Sequence, residues 1–284
     1  MAIAIAVAVL AVGSVLFHFL TPWYFTPLAS NWTSIDNAVS VTFWVTGAVF
    51  IAVNAFLVYS VVRYRSRKGH TAHYEPESAR LEKHLTLWTA VGVAALLAPG
   101  LYAWAQFVNI PKDAAVMEAV GQQWQWSFRF PGKDGVLGLT DVAAITDDNP
   151  FGMNPDDPYG KDDVLITDST VHIPVGKPLK VVLRSKDVLH DFFVPQFRAR
   201  MNLVPGSITY FWFTPTKVGK YEILCAQLCG VGHYAMRGTV IVDDQATFDA
   251  WLKTQPTYAP ATAAAAPAAA PAGAAPAAPA SNGG

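Results

Sequence analysis

The sequence predicts a membrane-anchored α+β protein in which apolar helices precede a β-rich domain. Hydrophobic residues make up 52% of the 284 residues and charged residues only 14%, whereas soluble domains carry about a quarter charged residues. The composition is also segregated, because apolar runs fill the first 108 residues and alanine and proline dominate the last 28. A large part of the chain therefore does not face water.

Three apolar stretches predict membrane-spanning helices at 1–20, 41–62 and 85–108. A spanning helix needs ~20 mostly apolar residues, and the second and third stretches contain no charged side chain. The alternative for these two, a pair of buried helices in a soluble core, would need much more surrounding protein. The first stretch is either a third spanning helix or a signal-like segment, although it lacks the basic region with which signal peptides begin.

The distribution of basic residues predicts how the helices are oriented in the membrane. The connection 63–84 carries six Lys and Arg residues, whereas residues 20–40 carry none. Short loops rich in Lys and Arg stay in the cytoplasm. The connection 63–84 is therefore predicted to be cytoplasmic, and the chain after Asn109 is predicted to lie on the outer side of the membrane.

Residues 115–254 are predicted to form a β domain on that outer side. Short runs of β-branched and aromatic residues alternate with turn residues, as in a β-sandwich or β-barrel. With 140 residues, the domain is large enough to bury a core of its own. The predicted strand runs lie at 171–175, 178–185, 189–194, 207–213, 220–225 and 238–243.

An acidic stretch interrupts this domain. Between Asp134 and Asp168 the chain contains nine Asp residues and one lysine. One interpretation is a solvated loop, with or without a calcium ion. The other is a docking surface for a basic partner, and its candidate residues are Asp156, Asp157, Asp162 and Asp163. The net charge of −1 argues against nucleic-acid binding, which needs a basic face.

The final segment, 256–284, contains no charged residue and is rich in alanine and proline. Such a composition does not bury enough apolar surface to fold on its own. It predicts a disordered or semi-extended tail, to which we assign no chemistry.

One short segment concentrates metal-binding chemistry. Four side chains with sulfur or imidazole donors lie within twelve residues: Cys225, Cys229, His233 and Met236. With His190 upstream, one cysteine, two histidines and a weak methionine already match a mononuclear electron-transfer copper site. Cys225 is a second thiolate, so the two cysteines can bridge two copper ions, with one imidazole on each ion. Met236 and a backbone carbonyl between the cysteines would then be the weaker ligands.

Three alternatives for this segment stay open at the level of residues. The two cysteines could form a disulfide on the outer side of a membrane, but a disulfide leaves the spacing of His233 and Met236 unexplained. Structural zinc accepts two Cys and two His ligands, but it does not call for Met. A copper-delivery protein would need a helix after the cysteines, whereas glycines and a strand follow them here.

Several motifs together resemble subunit II of the haem-copper cytochrome c oxidases. The loop CAQLCGVGHYAM (225–236) is similar to the binuclear copper loop of that family, and SKDVLHDFFVP (185–195) is similar to the segment with its first histidine. GQQWQW (121–126) and RMNLVPG (200–206) resemble two further family motifs. The resemblance implies a cupredoxin-like Greek-key β-barrel anchored by transmembrane helices in the bacterial inner membrane, with the copper domain on the periplasmic face.

The resemblance also implies roles for individual residues. Two copper ions would be bound by His190, Cys225, the backbone carbonyl of Gln227, Cys229, His233 and Met236. Trp124 matches the tryptophan that receives the electron, although a core or interfacial aromatic is the alternative. Glu82 matches a carboxylate at a proton-uptake channel, and a plain surface carboxylate is its alternative. Many members carry Glu at the position of Gln227 and bind magnesium there, so the magnesium site is an open question for this chain.

As a function, the resemblance implies electron transfer from cytochrome c, or another small basic donor, to haem in oxidase subunit I, where oxygen reduction is coupled to proton translocation. Subunit III is a further expected partner, together with the lipid bilayer. The chain itself has no CxxCH motif, which argues against covalently bound haem. The alternatives are an electron relay for nitric oxide or nitrous oxide reduction and a copper-delivery protein for oxidase assembly.

Overall fold

The computed structural model describes residues 1–21, 26–69, 71, 74 and 76–258. Three long helices come first, and a β domain with one short helix follows them. The tail predicted at 256–284 lies outside the described residues from position 259 onward.

The helices are α1 (Ala2–Leu20), α2 (Thr33–Arg63) and α3 (Ala79–Val108), and each is long and apolar enough to cross a membrane. Their mean hydropathies over the most apolar window are 2.5, 2.1 and 1.6. Helices α2 and α3 extend beyond the apolar runs from which they were predicted, because polar residues continue the helical hydrogen bonding at their ends. Glu82, predicted in the cytoplasmic connection, lies in the first turn of α3.

The β domain contains ten strands in two sheets, with the orders β3-β2-β1-β5-β8 and β4-β10-β9-β6-β7 among the described residues. The pairs β1 with β5 and β4 with β10 are parallel, and the other pairs are antiparallel. A short helix, α4 (Gln245–Leu252), follows the last strand. The strands are β1 (Ala115–Gln122), β2 (Gln125–Phe130), β3 (Val164–Ile166), β4 (Thr170–Pro174), β5 (Leu179–Ser185), β6 (His190–Val194), β7 (Ala199–Leu203), β8 (Thr209–Phe213), β9 (Gly219–Cys225) and β10 (Arg237–Asp243).

All six predicted strand runs correspond to strands, and the predicted order of N-terminal helices followed by a β domain is confirmed. Two stacked sheets in which several strands cross from one sheet to the other form a Greek-key architecture. The core between the sheets is apolar and largely aromatic, with Trp126, Phe128, Phe192 and Phe211 at 1% exposure or less. Strands β1, β2, β3 and β7 were not predicted from the alternation of apolar residues.

A buried ionic cluster explains why β1 and β2 lack a clear apolar pattern. The Glu118 carboxylate lies between two guanidiniums, 2.8 Å from Arg129 and 2.6 Å from Arg184. Arg129 also donates to the Asp163 carboxylate at 2.7 Å. Burial opposes ionisation of Glu118, but the two arginines outweigh it and lower the pKa of that carboxyl. Burial raises the pKa of Asp163 to about 6, despite its hydrogen bonds from Gly138 and Arg129.

The core of the domain extends beyond the predicted boundaries 115–254. Residues 26–36, which connect α1 to α2 and which we call the strap, lie against the β domain. Ala29 and Trp32 of the strap are part of the same buried cluster as Trp126 and Phe192. At the other end, Thr257 forms a β-bridge with Val164, and Tyr258 is buried.

Candidate metal centre

Two strand ends and one loop form the site. His190 is the first residue of β6 and Cys225 is the last residue of β9, and the two strands are paired side by side. The chain then turns through a loop to His233, which begins a single 3-10 turn, before β10 returns. Gly230 adopts a φ of +129° within this loop, a backbone conformation that favours glycine. The fold thus brings a histidine distant in sequence next to the loop that carries the other donors.

The predicted donor atoms lie next to one another. The two Sγ atoms of Cys225 and Cys229 are 3.7 Å apart. The Nδ1 of His190 lies 3.9 Å from the Cys225 sulfur, and the Nδ1 of His233 lies 3.6 Å from the Cys229 sulfur. The Met236 Sδ lies 3.9 Å from Cys229 Sγ. The backbone carbonyl of Gln227 lies 3.2 Å from Cys225 Sγ.

This donor set fits a metal pair bridged by thiolates. Both cysteines are free, and their separation is far beyond the ~2.0 Å of a disulfide bond. Metal–thiolate bonds of about 2.3 Å place two sulfurs on one ion up to about 4.6 Å apart, so both thiolates can reach the same ion. Each imidazole approaches a different cysteine, which gives each end of the sulfur pair one nitrogen ligand. Soft sulfur with imidazole is the ligand chemistry that suits copper.

The site is shielded from water. His190 and Met236 are at most 1% exposed, and Cys225 and Cys229 are 9% and 4% exposed. Burial opposes ionisation of Cys225, but hydrogen bonds from His190 and from the backbone lower the pKa of its thiol to about 6. Burial and the neighbouring Cys225 raise the pKa of Cys229 to about 11. Metal binding at neutral pH must therefore release the proton of Cys229.

Two residues that support the ligands were not predicted from the sequence. The Asp187 carboxylate accepts a hydrogen bond from His190 Nε2 at 2.8 Å and from the Gln123 backbone N–H at 2.7 Å. This leaves Nδ1 of His190 to face the cysteines. The Gln123 side-chain amide donates to the Cys229 carbonyl at 2.8 Å. Carboxylates that orient a ligand histidine are common around protein metal sites, and the Asp three residues before His190 was the available signal.

Trp124 lies across the loop and not in the domain core. A Cβ at Gly232 would come within 2.4 Å of the indole, and one at Gly230 within 3.1 Å, so only glycines allow this close approach. The indole is 38% exposed. Three apolar side chains of the same loop are at least 75% exposed: Leu228, Val231 and Tyr234.

Half of the predicted docking residues are buried, and the prediction is wrong for them. Asp163 is 0% exposed and Asp157 only 7%. The Asp163 carboxylate is paired with Arg129, and the Asp157 carboxylate accepts the Leu139 N–H at 2.6 Å. Carboxylates in this stretch thus cap backbone N–H groups of a folded loop. Asp156 is exposed and Asp162 is partly exposed, so these two alone remain candidates for a charged surface.

Comparison with known proteins is consistent with this geometry. A family model described as "Cytochrome C oxidase subunit II, periplasmic domain" matches residues 115–243. The alternative cytochrome c oxidase subunit 2 of Bradyrhizobium diazoefficiens is 54% identical over 259 residues, which is 91% of this chain and 94% of the relative. Cytochrome c oxidase subunit 2 of Thermostichus vulcanus is 31% identical over 245 residues, or 76% and 73% of the two chains.

A solved structure of the periplasmic domain of subunit II of cytochrome oxidase from Bradyrhizobium japonicum covers 51% of this chain and 96% of its own, with 26% identity and a TM-score of 0.38. The identity of 54% across nearly the full length of both chains decides the assignment. This chain belongs to the cytochrome c oxidase subunit II family.

Proposed function

We propose that this chain is the electron-accepting subunit of a terminal cytochrome c oxidase, with two copper ions bound by His190, Cys225, the Gln227 carbonyl, Cys229, His233 and Met236. The observation that carries this proposal is the arrangement of two buried thiolates 3.7 Å apart with one imidazole beside each. Membership of the oxidase family favours it over nitric or nitrous oxide reduction and over copper delivery.

The residues of this chain hold and orient the site. When bound, copper ions held by these thiolates and imidazoles would supply one-electron transfer. Asp187 fixes the orientation of the His190 ring, and Gln123 fixes the Cys229 end of the loop. Four of the proposed ligands, His190, Cys225, Cys229 and Met236, are buried, which limits the access of water to the site. The side chain of Gln227 is a neutral amide, so we do not assign it as a magnesium ligand. Its proposed role is limited to the backbone carbonyl, which would bind copper.

The electron donor is proposed to dock at the exposed edge of Trp124. The indole covers the copper loop and still reaches the surface, so it is suited to take an electron from a docked protein. The exposed apolar side chains of the copper loop fit the apolar centre of a protein interface. We assign this surface to cytochrome c or another small basic donor, and the haem of subunit I to the acceptor side.

The three helices anchor the chain, and the family of the β domain is a periplasmic one. We place the chain in a bacterial inner membrane, in contact with subunit I and subunit III. Glu82, exposed in the first turn of α3, is our candidate for proton uptake on the cytoplasmic side.

Rapid mixing of the purified oxidase with reduced cytochrome c tests the relay. We expect the copper band to be reduced before the haem, and Trp124→Ala to slow copper reduction. Tyr210→Ala, which removes an exposed aromatic of β8 outside the copper loop, is the control. Haem reduction at an unchanged rate in a Cys225→Ser oxidase would contradict the proposal, because electrons would then bypass the site.

A further inference from the structure

Among the described residues, the segment between α3 and β1 is the one covalent connection of the β domain to the membrane helices. A domain on a single short linker is expected to move relative to its anchor unless a second interface fixes it. The strap provides such an interface, and nothing in the copper chemistry accounts for it.

Arg198 is the central contact of the strap. This residue lies in the turn between β6 and β7 and has a φ of +56°, the only positive φ of a non-glycine residue in the described chain. Its guanidinium forms a bidentate ion pair with Asp36 in the first turn of α2, at 2.6 and 3.0 Å. It also donates to the carbonyl and hydroxyl of Thr26 at 2.6 and 3.1 Å. The left-handed conformation is unfavourable for arginine, so the surrounding contacts hold this residue in place.

Further hydrogen bonds attach the strap to two turns of the domain. In the turn 195–198, the backbone carbonyl of Gln196 accepts a hydrogen bond from the Ala29 N–H at 2.8 Å. The backbone carbonyl of Phe197 accepts one from the Ser30 hydroxyl at 2.7 Å. In the turn 214–218, the Thr216 N–H donates to the Ala29 carbonyl at 2.9 Å. The strap thus contacts the β6–β7 turn and the β8–β9 turn together.

Aromatic packing connects the strap to both α3 and the domain. The Trp32 ring lies 5.3 Å from that of Phe107 in α3 and 4.9 Å from that of Trp212 in β8. The Trp32 indole donates to the Trp212 carbonyl at 3.0 Å, and the Trp212 indole donates to the Gln106 carbonyl of α3 at 3.1 Å. Trp32 is only 1% exposed.

The strands fixed by the strap are those that carry metal ligands. Strand β6 begins at His190 and ends at the turn with Arg198, and β9 begins after the turn 214–218 and ends at Cys225. Strands are stiff because each is paired along its length. We propose that the strap fixes the orientation of the β domain on the membrane helices, with Arg198 and Asp36 as positioning residues for the copper site. This inference rests on the proposed function only where it concerns electron transfer.

Three variants of the complete oxidase test this pair. Arg198→Gly removes the guanidinium, and glycine adopts the left-handed conformation without strain, so the fold is kept. Asp36→Asn removes the partner on α2. The double variant Asp36→Arg with Arg198→Asp reverses the pair, because aspartate tolerates a positive φ better than most residues. Lys217→Gly, which removes an exposed cation from the β8–β9 turn, is the control.

Hydrogen exchange at the strap amides is the first readout. We expect the Ala29 and Asn31 amides to exchange on the order of tenfold or more faster in both single variants, because a partly buried bidentate pair is lost. Exchange should return towards the wild-type rate in the reversed pair and stay unchanged in Lys217→Gly. Unchanged exchange in Arg198→Gly would overturn the inference.

The rate of electron transfer from copper to haem is the second readout, together with the paramagnetic resonance spectrum of the copper site. We expect a slower transfer in Arg198→Gly with an unchanged spectrum, since the ligands are intact and only their position changes. Faster exchange with an unchanged transfer rate would overturn the positioning role. Absence of a binuclear copper spectrum in the wild type would contradict the proposed function, whereas the exchange result would still report on the strap.

Discussion

The helical region and the β domain are stabilised in opposite ways. Large apolar side chains of the helices face outward, as with Trp44 at 71% and Phe56 at 68% exposure, whereas Trp126 and Phe128 in the β domain are fully buried. The helices therefore depend on a bilayer and on partner subunits to cover their apolar surface. The β domain has a core of its own, and the metal ligands lie at the edge of that core. The strap is where the two regions meet.

The largest expected effect is confined to the β domain. Cys225→Ser removes one of the two thiolates proposed to bind the copper pair, so the mixed-valence signal of the proposed binuclear site should be lost completely. Metal analysis and paramagnetic resonance of the purified protein measure this. Leu228→Ala, a change at an exposed position between the cysteines, should leave the signal intact. A wild-type spectrum in Cys225→Ser would contradict a bridging role for this residue.

Substitution of one tryptophan in each region tests this difference in how the two regions are stabilised. Trp32→Ala empties a buried site in the domain core and should destabilise the domain by about 3–5 kcal/mol, or roughly 10 °C in its thermal midpoint. Trp44→Ala removes an outward-facing side chain of α2 and should leave the domain midpoint unchanged. Thermal unfolding followed by the copper absorbance measures both. Equal midpoints for the two variants would show that the strap is not part of the domain core.

The buried ionic cluster predicts a pH dependence of domain stability. The pKa of Asp163 is about 6 in the folded chain, above the ordinary aspartate value of 3.8, so the folded state binds a proton more readily than the unfolded state. This carboxyl therefore costs stability above about pH 6, and the cost of up to about 3 kcal/mol is relieved as the pH falls towards 4.

Asp163→Asn should abolish that component of the pH dependence, because asparagine does not titrate. Denaturant unfolding between pH 4 and 7 measures the difference between the two proteins. Glu118 has the opposite effect on stability, because its pKa is lowered in the folded chain. The ionised Glu118 stabilises the fold above the unfolded-state pKa of this carboxyl, and this stabilisation is lost on acidification. An identical pH profile for wild type and Asp163→Asn would contradict the titration of Asp163.

The smallest expected effect concerns the acidic loop. Neutralising the accessible pair, Asp156→Asn with Asp162→Asn, should reduce the association rate with a basic cytochrome c modestly and only at low salt, because exposed charges act mainly on association. Asp134→Asn with Asp168→Asn is the matched control for total charge. A rate independent of salt in the wild type would contradict electrostatic docking by this loop.

Sequence analysis predicted most of the anchor and grouped four candidate ligands in one loop, because both depend on patterns that are local in the chain. An apolar run predicts a spanning helix by length alone, and Cys225, Cys229, His233 and Met236 lie in one short loop. His190, from a segment further upstream, was added to this set as the second imidazole of a copper site. Strands β1 and β2 were missed because Glu118 and Arg129 are buried charges whose partners come from distant segments.

The remaining features depend on tertiary contacts that no local pattern indicates. The strap precedes a membrane helix but packs into the domain core after the chain has crossed the membrane twice more. Aspartates of the acidic loop were interpreted as surface charges, but Asp157 and Asp163 point inward to satisfy N–H groups and Arg129. Composition alone does not distinguish a carboxylate that faces solvent from one that holds a loop together.

Copper content and paramagnetic resonance of the purified, full-length chain test the central claim most directly. The account predicts two copper ions per chain and the spectrum of one unpaired electron shared equally between them, as expected if Cys225 and Cys229 each bind both ions. One copper per chain with a mononuclear spectrum, or zinc in place of copper, would contradict it.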